Sequence, residues 1–259
     1  MRRKETGKKG GTGVLGVIPA RWDSSRFPGK PLHAIAGKPL IQHVWERCRR
    51  CRTLSEVIIA TDDERIRQAA LGFGAVVEMT RPEHPSGTDR IAEVARRHPG
   101  FSHILNIQGD EPLIGIRLIN RLVSKLTENP EIVMITAANR FSNPRDLKNP
   151  NIVKVVLNKH GEALYFSRSA IPFQRQGHPA ALYRHQGIYG FSRSFLLRFV
   201  DWKPTPLEKS EHLEQLRALE NGASIHVVVT SDESIGVDTP AQARLVSKMI
   251  QSSAASRNS

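Results

Sequence analysis

The sequence predicts an α/β fold, with a mostly parallel sheet flanked by helices and a smaller inserted lobe. Short apolar runs alternate with helical patterns in the first half of the chain, and this order is typical of parallel strands joined by right-handed crossovers. At 259 residues the chain can bury a full core, and we expect one domain over 13–250. Between about 139 and 202 prolines interrupt short strand-like runs, which indicates the inserted lobe.

The first half begins with a β-branched apolar run at 14–18, predicted to be a buried strand that ends at Pro19. A helix is predicted next, with Pro39 as its first residue. The elements that follow are a strand at 57–60, a helix at 64–73, a strand at 75–78, a helix starting near 87 and a strand at 104–107.

The second half is predicted to contain a helix at 118–126, strands at 132–138, 152–157 and 184–191, a helix at 206–221 and a strand at 225–230. The last helix should be capped by Thr239, with Pro240 at its first position. Residues 251–259 are mostly Ser and Ala and are expected to form a disordered tail.

The chain is strongly basic, with a formal net charge of +13, of which +4 lies in residues 1–9. We expect residues 1–12 to form a basic, disordered extension. A basic chain favours a phosphate-rich small substrate, a nucleic acid or simply a solvated basic surface, and composition does not separate them. No apolar run reaches the roughly 18 residues of a membrane span, and no signal-peptide core follows the basic start, so we expect a cytoplasmic protein.

Cys48 and Cys51 are the only two cysteines, which excludes a disulfide framework. Their spacing is that of a zinc or redox pair, but they fall at the end of a predicted helix and no second pair completes a zinc site. We interpret them as packed or solvated helix residues.

The loop after the first strand carries Arg21, Arg26 and Lys30 among Ser and Gly residues. Cations beside small residues can reach phosphate oxygens, although the spacing is neither a P-loop nor a dinucleotide-binding fingerprint. A solvated basic loop remains the alternative. A second loop, H-P-S-G-T-D-R at 84–90, precedes a helical pattern and could contact a nucleotide, or could be an ordinary capped helix start.

Acidic residues stand at the end of the strand at 104–107, where open α/β sheets place their ligands. Asp110 in Q-G-D-E-P is therefore a candidate Mg²⁺ ligand, since this cation prefers carboxylate and phosphate oxygens. Farther along, alternation in the strand at 184–191 places His185 and Tyr189 on one face, where a buried, hydrogen-bonded histidine is the default interpretation.

Six phrases along residues 14–250 together resemble the 3-deoxy-manno-octulosonate (Kdo) cytidylyltransferase family. They are I-P-A-R-x-x-S-x-R-x-P-G-K-P-L, S-G-T-D-R, Q-G-D-E-P, Y-F-S-R-S-A-I-P-F, R-H-x-G-I-Y-G-F and G-V-D-T-P. The resemblance implies a Rossmann-like nucleotidyltransferase fold and the reaction of CTP with Kdo to give CMP-Kdo and pyrophosphate for lipopolysaccharide biosynthesis. The departures are the basic extension and a short link between Arg175 and His185.

The resemblance also implies roles for individual residues. Nucleotide contacts are implied for Arg21, Lys30, Ser86, Gly87, Thr88, Arg90 and Gln108, and sugar contacts for Gln108, Arg168, Arg175, His185, Tyr189, Glu214 and Gln215. Asp110 and Asp238 would hold Mg²⁺, and with Arg21 and Lys30 they form the implied catalytic set. We expect the inserted lobe to help close the sugar site and to form a homodimer. A sister enzyme using 8-amino-Kdo or sialic acid remains an alternative, and a nucleic-acid-binding protein a remote one.

Overall fold

The computed structural model, which describes residues 13–23, 27–175 and 180–255, confirms a mostly parallel sheet with helices on both faces. The strands are β1 (Gly13–Ala20), β2 (Ala34–Ile35), β3 (Lys38–Pro39), β4 (Glu56–Thr61), β5 (Val76–Met79), β6 (Phe101–Asn106), β7 (Met134–Arg140), β8 (Lys154–Leu157), β9 (Ala163–Ser167), β10 (Tyr183–Ser192) and β11 (His226–Thr230). The helices are α1 (Leu40–Arg49), α2 (Glu64–Gly72), α3 (Gly87–Arg97), α4 (Ile116–Glu128), α5 (Arg193–Asp201), α6 (Pro206–Glu211), α7 (Leu216–Glu220) and α8 (Pro240–Ala255). Short 3₁₀ turns lie at Lys30–Leu32 and Pro144–Lys148.

The main sheet has the strand order β11-β7-β10-β6-β1-β4-β5. β1 pairs in parallel with β4 and β6, and β11 pairs in parallel with β7. β10 is antiparallel to both of its neighbours, β6 and β7. Because β1 and β6 are parallel neighbours, the loops that follow them meet at one edge of the sheet.

Two apolar cores cover the two faces of the sheet, and alternation along the strands supplies both. On β1, Val14 and Ile18 face the core under α1, α2 and α4, whereas Leu15 and Val17 face the core under α3 and α5. All four side chains are at most 2% exposed. A strand buried on both faces requires this continuous apolar run.

A third, smaller cluster ties the β2–β3 hairpin to α8. Ile35 and Leu40 pack there against Val237, Ala243 and Val246. This contact brings the segment before α8 close to the loop that follows β1, although the two are far apart along the chain.

The first strand and the inserted lobe have other bounds than predicted. β1 continues past Pro19 to Ala20. The lobe predicted at 139–202 is smaller, because β10 and α5 belong to the main sheet and its helical layer. On β10, Ile188 and Phe191 enter opposite cores, so the period-two pattern marks a central strand. The β8–β9 hairpin remains as an appendage on β10.

The helix predicted at 206–221 is broken in two. His212 adopts a left-handed conformation with φ 51°, which ends α6 before α7 begins. The two sides of the break are held by different parts of the fold: Glu211 accepts hydrogen bonds from Ser167 and the Arg168 amide, whereas Glu214 is bound elsewhere, as described below.

The tail predicted at 251–259 begins too early. α8 runs to Ala255, and the Ser252 hydroxyl donates to the Lys248 carbonyl at 2.5 Å, as helix-interior serines commonly do. Residues 1–12 and 256–259, where an extension and a tail are predicted, lie outside the described residues. No described helix is long and apolar enough to cross a membrane.

Candidate active site

A cleft of about 340 Å³ opens at the carboxyl ends of β1 and β6. Many residues that the sequence singles out line it together: Arg21, Lys30, Ser86, Gly87, Arg90, Gln108, Asp110 and Asp238. Arg26 lies outside the described residues. The position agrees with the general rule that open α/β sheets bind ligands beyond the carboxyl ends of their strands.

Lys30 joins the two candidate metal ligands. Its Nζ lies 2.7 Å from Asp110 Oδ2 and 3.0 Å from Asp238 Oδ1. Burial alone would lower the pKa of Lys30, but the charges and hydrogen bonds of the two carboxylates outweigh it and raise the pKa above its ordinary value. Lys30 therefore stays a cation between the two acidic side chains.

Backbone contacts place Asp238 beside Asp110. The Val237 amide donates to the Asp110 carbonyl at 2.9 Å, which fastens the segment before α8 to the turn after β6. The Thr239 hydroxyl accepts from the Gln242 amide at 3.3 Å, so the predicted cap of α8 is confirmed. Asp238 is thus held at the start of a helix that is itself packed on the β2–β3 hairpin.

The turn that carries Gln108 and Asp110 lies very close to β1. A Cβ on Gly109 would come within 2.9 Å of the Pro19 carbonyl oxygen. Only glycine allows this approach without displacing the backbone. The close approach places the side chains of Gln108 and Asp110 at the cleft.

The start of α3 forms another wall of the cleft. Ser86 Oγ accepts from the amides of Thr88 and Asp89 at 3.1 and 3.2 Å, so the helix cap considered from the sequence is present. Gly87 and Ser86 also line the cleft, where the helix N-terminus favours an anion. The ordinary cap and the candidate nucleotide loop are therefore the same structure.

Glu214 is bound to this helix start. Its carboxylate accepts from Ser86 Oγ at 2.8 Å and from Thr88 Oγ1 at 2.5 Å. Burial raises the pKa of Glu214 despite these hydrogen bonds. Thr88 is only 3% exposed and does not line the cleft. Through its contact with Glu214 it connects the candidate nucleotide residues to the candidate sugar residues.

Arg90 lies in the cleft wall and is 3% exposed. Its guanidinium donates to Thr80 Oγ1 at 2.5 Å and to Asp62 Oδ2 at 3.1 Å. The paired carboxylate compensates the buried charge and fixes the direction of the guanidinium. Arg90 therefore presents a rigid cation to the cleft.

Three candidate sugar residues lie deeper in the fold. The rings of His185 and Tyr189 are 5.4 Å apart, and His185 Nε2 lies 2.9 Å from Thr136 Oγ1. Burial lowers the pKa of His185 to about 3, so the ring is neutral, and burial followed by the charge of Glu214 raises the pKa of Tyr189 well above its ordinary value. Gln215 is 5% exposed, and its amide nitrogen has no hydrogen-bond partner within the described part of the chain.

The structure does not bring the two candidate sugar arginines to the cleft. The Arg168 guanidinium donates to the carbonyls of Glu211, Pro150 and His212 at 2.7, 3.0 and 3.3 Å. It connects the β8–β9 hairpin to the end of α6. Arg175 is exposed at the end of the described range 27–175 and does not line the cleft.

Two residues in or beside the cleft were given no role by sequence reasoning. His84 lines the cleft, and its Nε2 contacts Glu93 Oε2 on α3. Glu111 follows Asp110, and burial together with the charge of Asp110 raises its pKa to about 7. Both lie inside the quoted phrases, so their proximity to the other candidates was the available signal.

The placement of two carboxylates in the cleft, those of Asp110 and Asp238, suits a hard cation such as Mg²⁺. Among the described residues no group of three or more His, Cys, Asp or Glu side chains could hold a metal by itself. However, Asp110 and Asp238 converge on one cation, the Lys30 ammonium, and Mg²⁺ is commonly held by only one or two carboxylates together with substrate phosphates. The pair therefore fits Mg²⁺ delivered with a nucleotide.

The two cysteines play no part in this site. Both are free and buried. Burial raises the pKa of Cys51 to about 11 and that of Cys48 farther still, so neither is a reactive thiolate. Cys48 is thus a packed residue of α1, as interpreted, whereas Cys51 is buried beyond the end of this helix.

Comparisons with known proteins agree with the geometry. A family model described as Cytidylyltransferase matches residues 15–225. The 3-deoxy-manno-octulosonate cytidylyltransferase of Geobacter sulfurreducens is 51% identical over 238 residues, covering 88% of this chain and 95% of that protein. The Solibacter usitatus protein of the same name is 50% identical, covering 93% and 95%. A solved structure of CMP:2-keto-3-deoxy-manno-octonic acid synthetase complexed with CTP has a TM-score of 0.90 and 39% identity, covering 93% of this chain and 99% of that one. The chain therefore belongs to the cytidylyltransferase family, among the 3-deoxy-manno-octulosonate cytidylyltransferases.

Proposed function

We propose that this protein transfers the CMP group of CTP to Kdo, releasing pyrophosphate and forming CMP-Kdo for lipopolysaccharide biosynthesis. The observation that carries the proposal is the convergence of Lys30, Asp110 and Asp238 in a cleft that also presents Arg21 and the start of α3. Cations, a helix N-terminus and paired carboxylates are what a nucleoside triphosphate with its divalent cation requires.

The nucleotide would lie between the loop after β1 and the start of α3. Arg21 and Lys30 supply positive charge for the triphosphate, and the helix N-terminus at Gly87 favours an anion. Arg90, on the same helix and directed by Asp62 and Thr80, supplies a fixed donor on that wall. Lys30 and Arg90 are already held in place by their carboxylate partners, so these two cations need little reorganisation when the substrate binds.

Asp110 and Asp238 would hold Mg²⁺ beside the triphosphate. When bound, this cation neutralises phosphate charge and favours the ionised form of an attacking oxygen. Lys30 would keep the two carboxylates together in the absence of the cation, because its ammonium contacts both of them.

In the proposed reaction the anomeric hydroxyl of Kdo attacks the α-phosphorus and loses its proton to solvent. The new oxygen–phosphorus bond forms as the bond to pyrophosphate breaks, and negative charge builds up on the departing phosphates. Lys30 and Arg21 would stabilise that charge. The protein contributes chiefly by holding both substrates in line for the transfer.

The sugar would be bound by residues next to this cleft. Gln108 lines it directly, and Glu214 is joined to its wall through Ser86 and Thr88. His185, Tyr189 and Gln215 would complete the sugar side. Arg168 and Arg175 would need a different arrangement of the lobe to reach it, because Arg168 is bound to backbone carbonyls and Arg175 is exposed.

The direct test is pyrophosphate release from CTP and Mg²⁺, with Kdo, 8-amino-Kdo and sialic acid in parallel. We expect release with Kdo and its loss in Asp110→Asn, whereas Asp201→Asn, an exposed change at the end of α5, should leave it unchanged. Release with another sugar alone would assign the specificity to a sister enzyme. No release with any sugar would refute the proposal.

The metal site can be tested without the reaction. Mn²⁺, used as a paramagnetic substitute for Mg²⁺, should bind more tightly in the presence of CTP, as followed by electron paramagnetic resonance. Asp238→Asn should weaken this binding and Asp201→Asn should not. Equal Mn²⁺ affinity in both variants would exclude Asp238 as a ligand.

We also propose that the protein is a homodimer formed through the lobe. Phe173 is 92% exposed and Leu164 is 59% exposed, and an interface formed there would cover both apolar side chains. Sedimentation should show a dimer that Phe173→Ser weakens. A monomer in both proteins would disprove it.

A further inference from the structure

A tryptophan on the loop after β1 is held by an arginine on α2. The Arg65 guanidinium carbon lies 3.4 Å from the centroid of the Trp22 ring, within the range of a cation–π contact. Arg65 is also fixed by Asp63, the cap of α2: its Nε and Nη2 donate to the two carboxylate oxygens at 3.0 and 2.6 Å. Asp63 therefore fixes the orientation in which the Arg65 guanidinium contacts the indole.

Trp22 in turn holds the residue that precedes Lys30. Gly29 has φ +69°, and a Cβ there would lie 3.0 Å from two carbons of the Trp22 ring, so the indole packs directly on the glycine backbone. The Gly29 amide also donates to the Trp22 carbonyl at 3.1 Å. A continuous set of contacts thus runs from α2 through Arg65, Trp22 and Gly29 to Lys30.

Arg65 cannot act on a ligand in the cleft directly. Its side chain is 58% exposed, and it is not one of the residues that line the cleft. An exposed ion pair such as Asp63–Arg65 contributes little by itself. What distinguishes this pair is that its guanidinium covers the indole of the loop that carries Arg21 and Lys30.

We infer that Arg65 and Trp22 are positioning residues that hold the loop after β1 in the conformation able to bind the triphosphate. The inference rests on the proposed function, because it assigns the CTP phosphates to Lys30. A loop that is held only part of the time lowers the apparent affinity by the fraction of protein in the competent state. Loss of the stacked cation should therefore affect CTP binding more than turnover at saturation.

The kinetic test compares Arg65→Ala, Arg65→Lys and Trp22→Phe with wild type. Arg67→Ala is the matched control, because Arg67 is on the same helix and pairs only with Glu64 in the contacts described. We expect the KM for CTP to rise roughly three- to fivefold in Arg65→Ala, as removal of an exposed cation–π contact predicts, with kcat and the KM for Kdo little changed. Arg65→Lys should raise the KM for CTP less than Arg65→Ala does, because lysine keeps the charge but not the planar group.

A spectroscopic test reports on the loop without any reaction. The Trp22 signal of each protein is isolated by subtracting the emission spectrum of the same protein carrying Trp22→Phe. In unliganded Arg65→Ala, acrylamide should quench that signal more strongly than in wild type or Arg67→Ala, because the indole has lost its cover.

These two readouts separate the possible failures. Unchanged quenching, or an unchanged KM for CTP in an active Arg65→Ala enzyme, would overturn the inference. So would equal rises in the KM for both substrates accompanied by a lower melting temperature, which would indicate a general structural defect. If wild type released no pyrophosphate at all, the proposed function would fail, and CTP binding measured by calorimetry would then replace KM as the test of Arg65.

Discussion

The Lys30 ammonium lies 3.0 Å from the Asp238 carboxylate although the two residues are 208 positions apart in the chain. The same ammonium contacts Asp110 at 2.7 Å. One partly buried cation therefore joins three segments: the loop after β1, the turn after β6 and the start of α8. The site depends on these three segments being held together.

Replacement of Lys30 by methionine should abolish most of the activity. The variant keeps the length of the side chain but loses the charge that balances two carboxylates and would stabilise departing phosphates. We expect pyrophosphate release to fall about a hundredfold or more, as when a charge-stabilising donor is removed from an active site. Lys38→Met is the control, since Lys38 is exposed and paired with Glu46. Equal activity of the two variants would contradict the assigned role.

Gly109→Ala should damage both stability and activity. The new methyl group would meet the Pro19 carbonyl oxygen at 2.9 Å, so the turn carrying Gln108 and Asp110 must move. We expect the free energy of unfolding to fall by about 1–3 kcal/mol. Gly72→Ala, at the end of α2 with nothing within 4 Å of its Cβ, should instead leave stability unchanged or raise it by up to about 1 kcal/mol. Chemical denaturation measures both, and identical effects would show that the close approach is unimportant.

Two serines that cap helices should differ in their effect on CTP binding. Ser86 caps α3 in the cleft wall and Ser192 caps α5, outside the residues that line the cleft. Changing either serine to alanine should lower the free energy of unfolding by about 0.5–2 kcal/mol. Only Ser86→Ala should also raise the KM for CTP, because it releases Glu214 and loosens the wall. A raised KM in Ser192→Ala would show that the effect is one of stability alone.

Stability should depend on pH through His185. Its pKa is about 3 in the fold and about 6.5 when unfolded, so between these values only the unfolded state binds the proton. The stability from the neutral ring is therefore complete above about pH 6.5 and is lost as the pH falls towards 3, by up to about 1.4 kcal/mol per pH unit. The groups facing the ring, Thr136, Phe166 and Tyr189, carry no charge in this range.

The measurement for His185 is chemical denaturation between about pH 4 and 7.5. This range covers most of the interval between the pKa of the folded state and that of the unfolded state. His185→Asn should show a smaller loss of stability towards acid than wild type. His160→Asn, an exposed change, is the control and should follow wild type. If the slope persisted in His185→Asn, another group would have to account for it.

Local pattern was enough to predict most of the fold. The β-branched runs of β1 and β4 and the apolar spacing of α3 and α4 identify their own elements, because burial acts on each segment separately. The position of β10 was not predictable in this way. The alternation of side chains along β10 fits an edge strand of an inserted lobe as well as a central strand of the main sheet. Only the pairing of β10 with both β6 and β7 decides between these two positions.

For the site, the sequence alone identified the segments that carry the chemistry. The phrases containing Arg21, Ser86 and Asp110 each follow or precede a regular element, so their place at the carboxyl edge of the sheet follows from strand direction. The capping roles of Ser86 and Thr239 were likewise readable, since they depend only on neighbours one turn away.

Only the tertiary structure decided which side chains meet. The bridge from Lys30 to Asp238, the link from Glu214 to Thr88 and the use of Arg168 to bind backbone carbonyls all join segments distant in sequence. Such contacts depend on how the strands are ordered and on where a helix such as α6 ends. Sequence periodicity reports whether a residue is buried, but the partner it finds there is chosen by the packing of the whole chain.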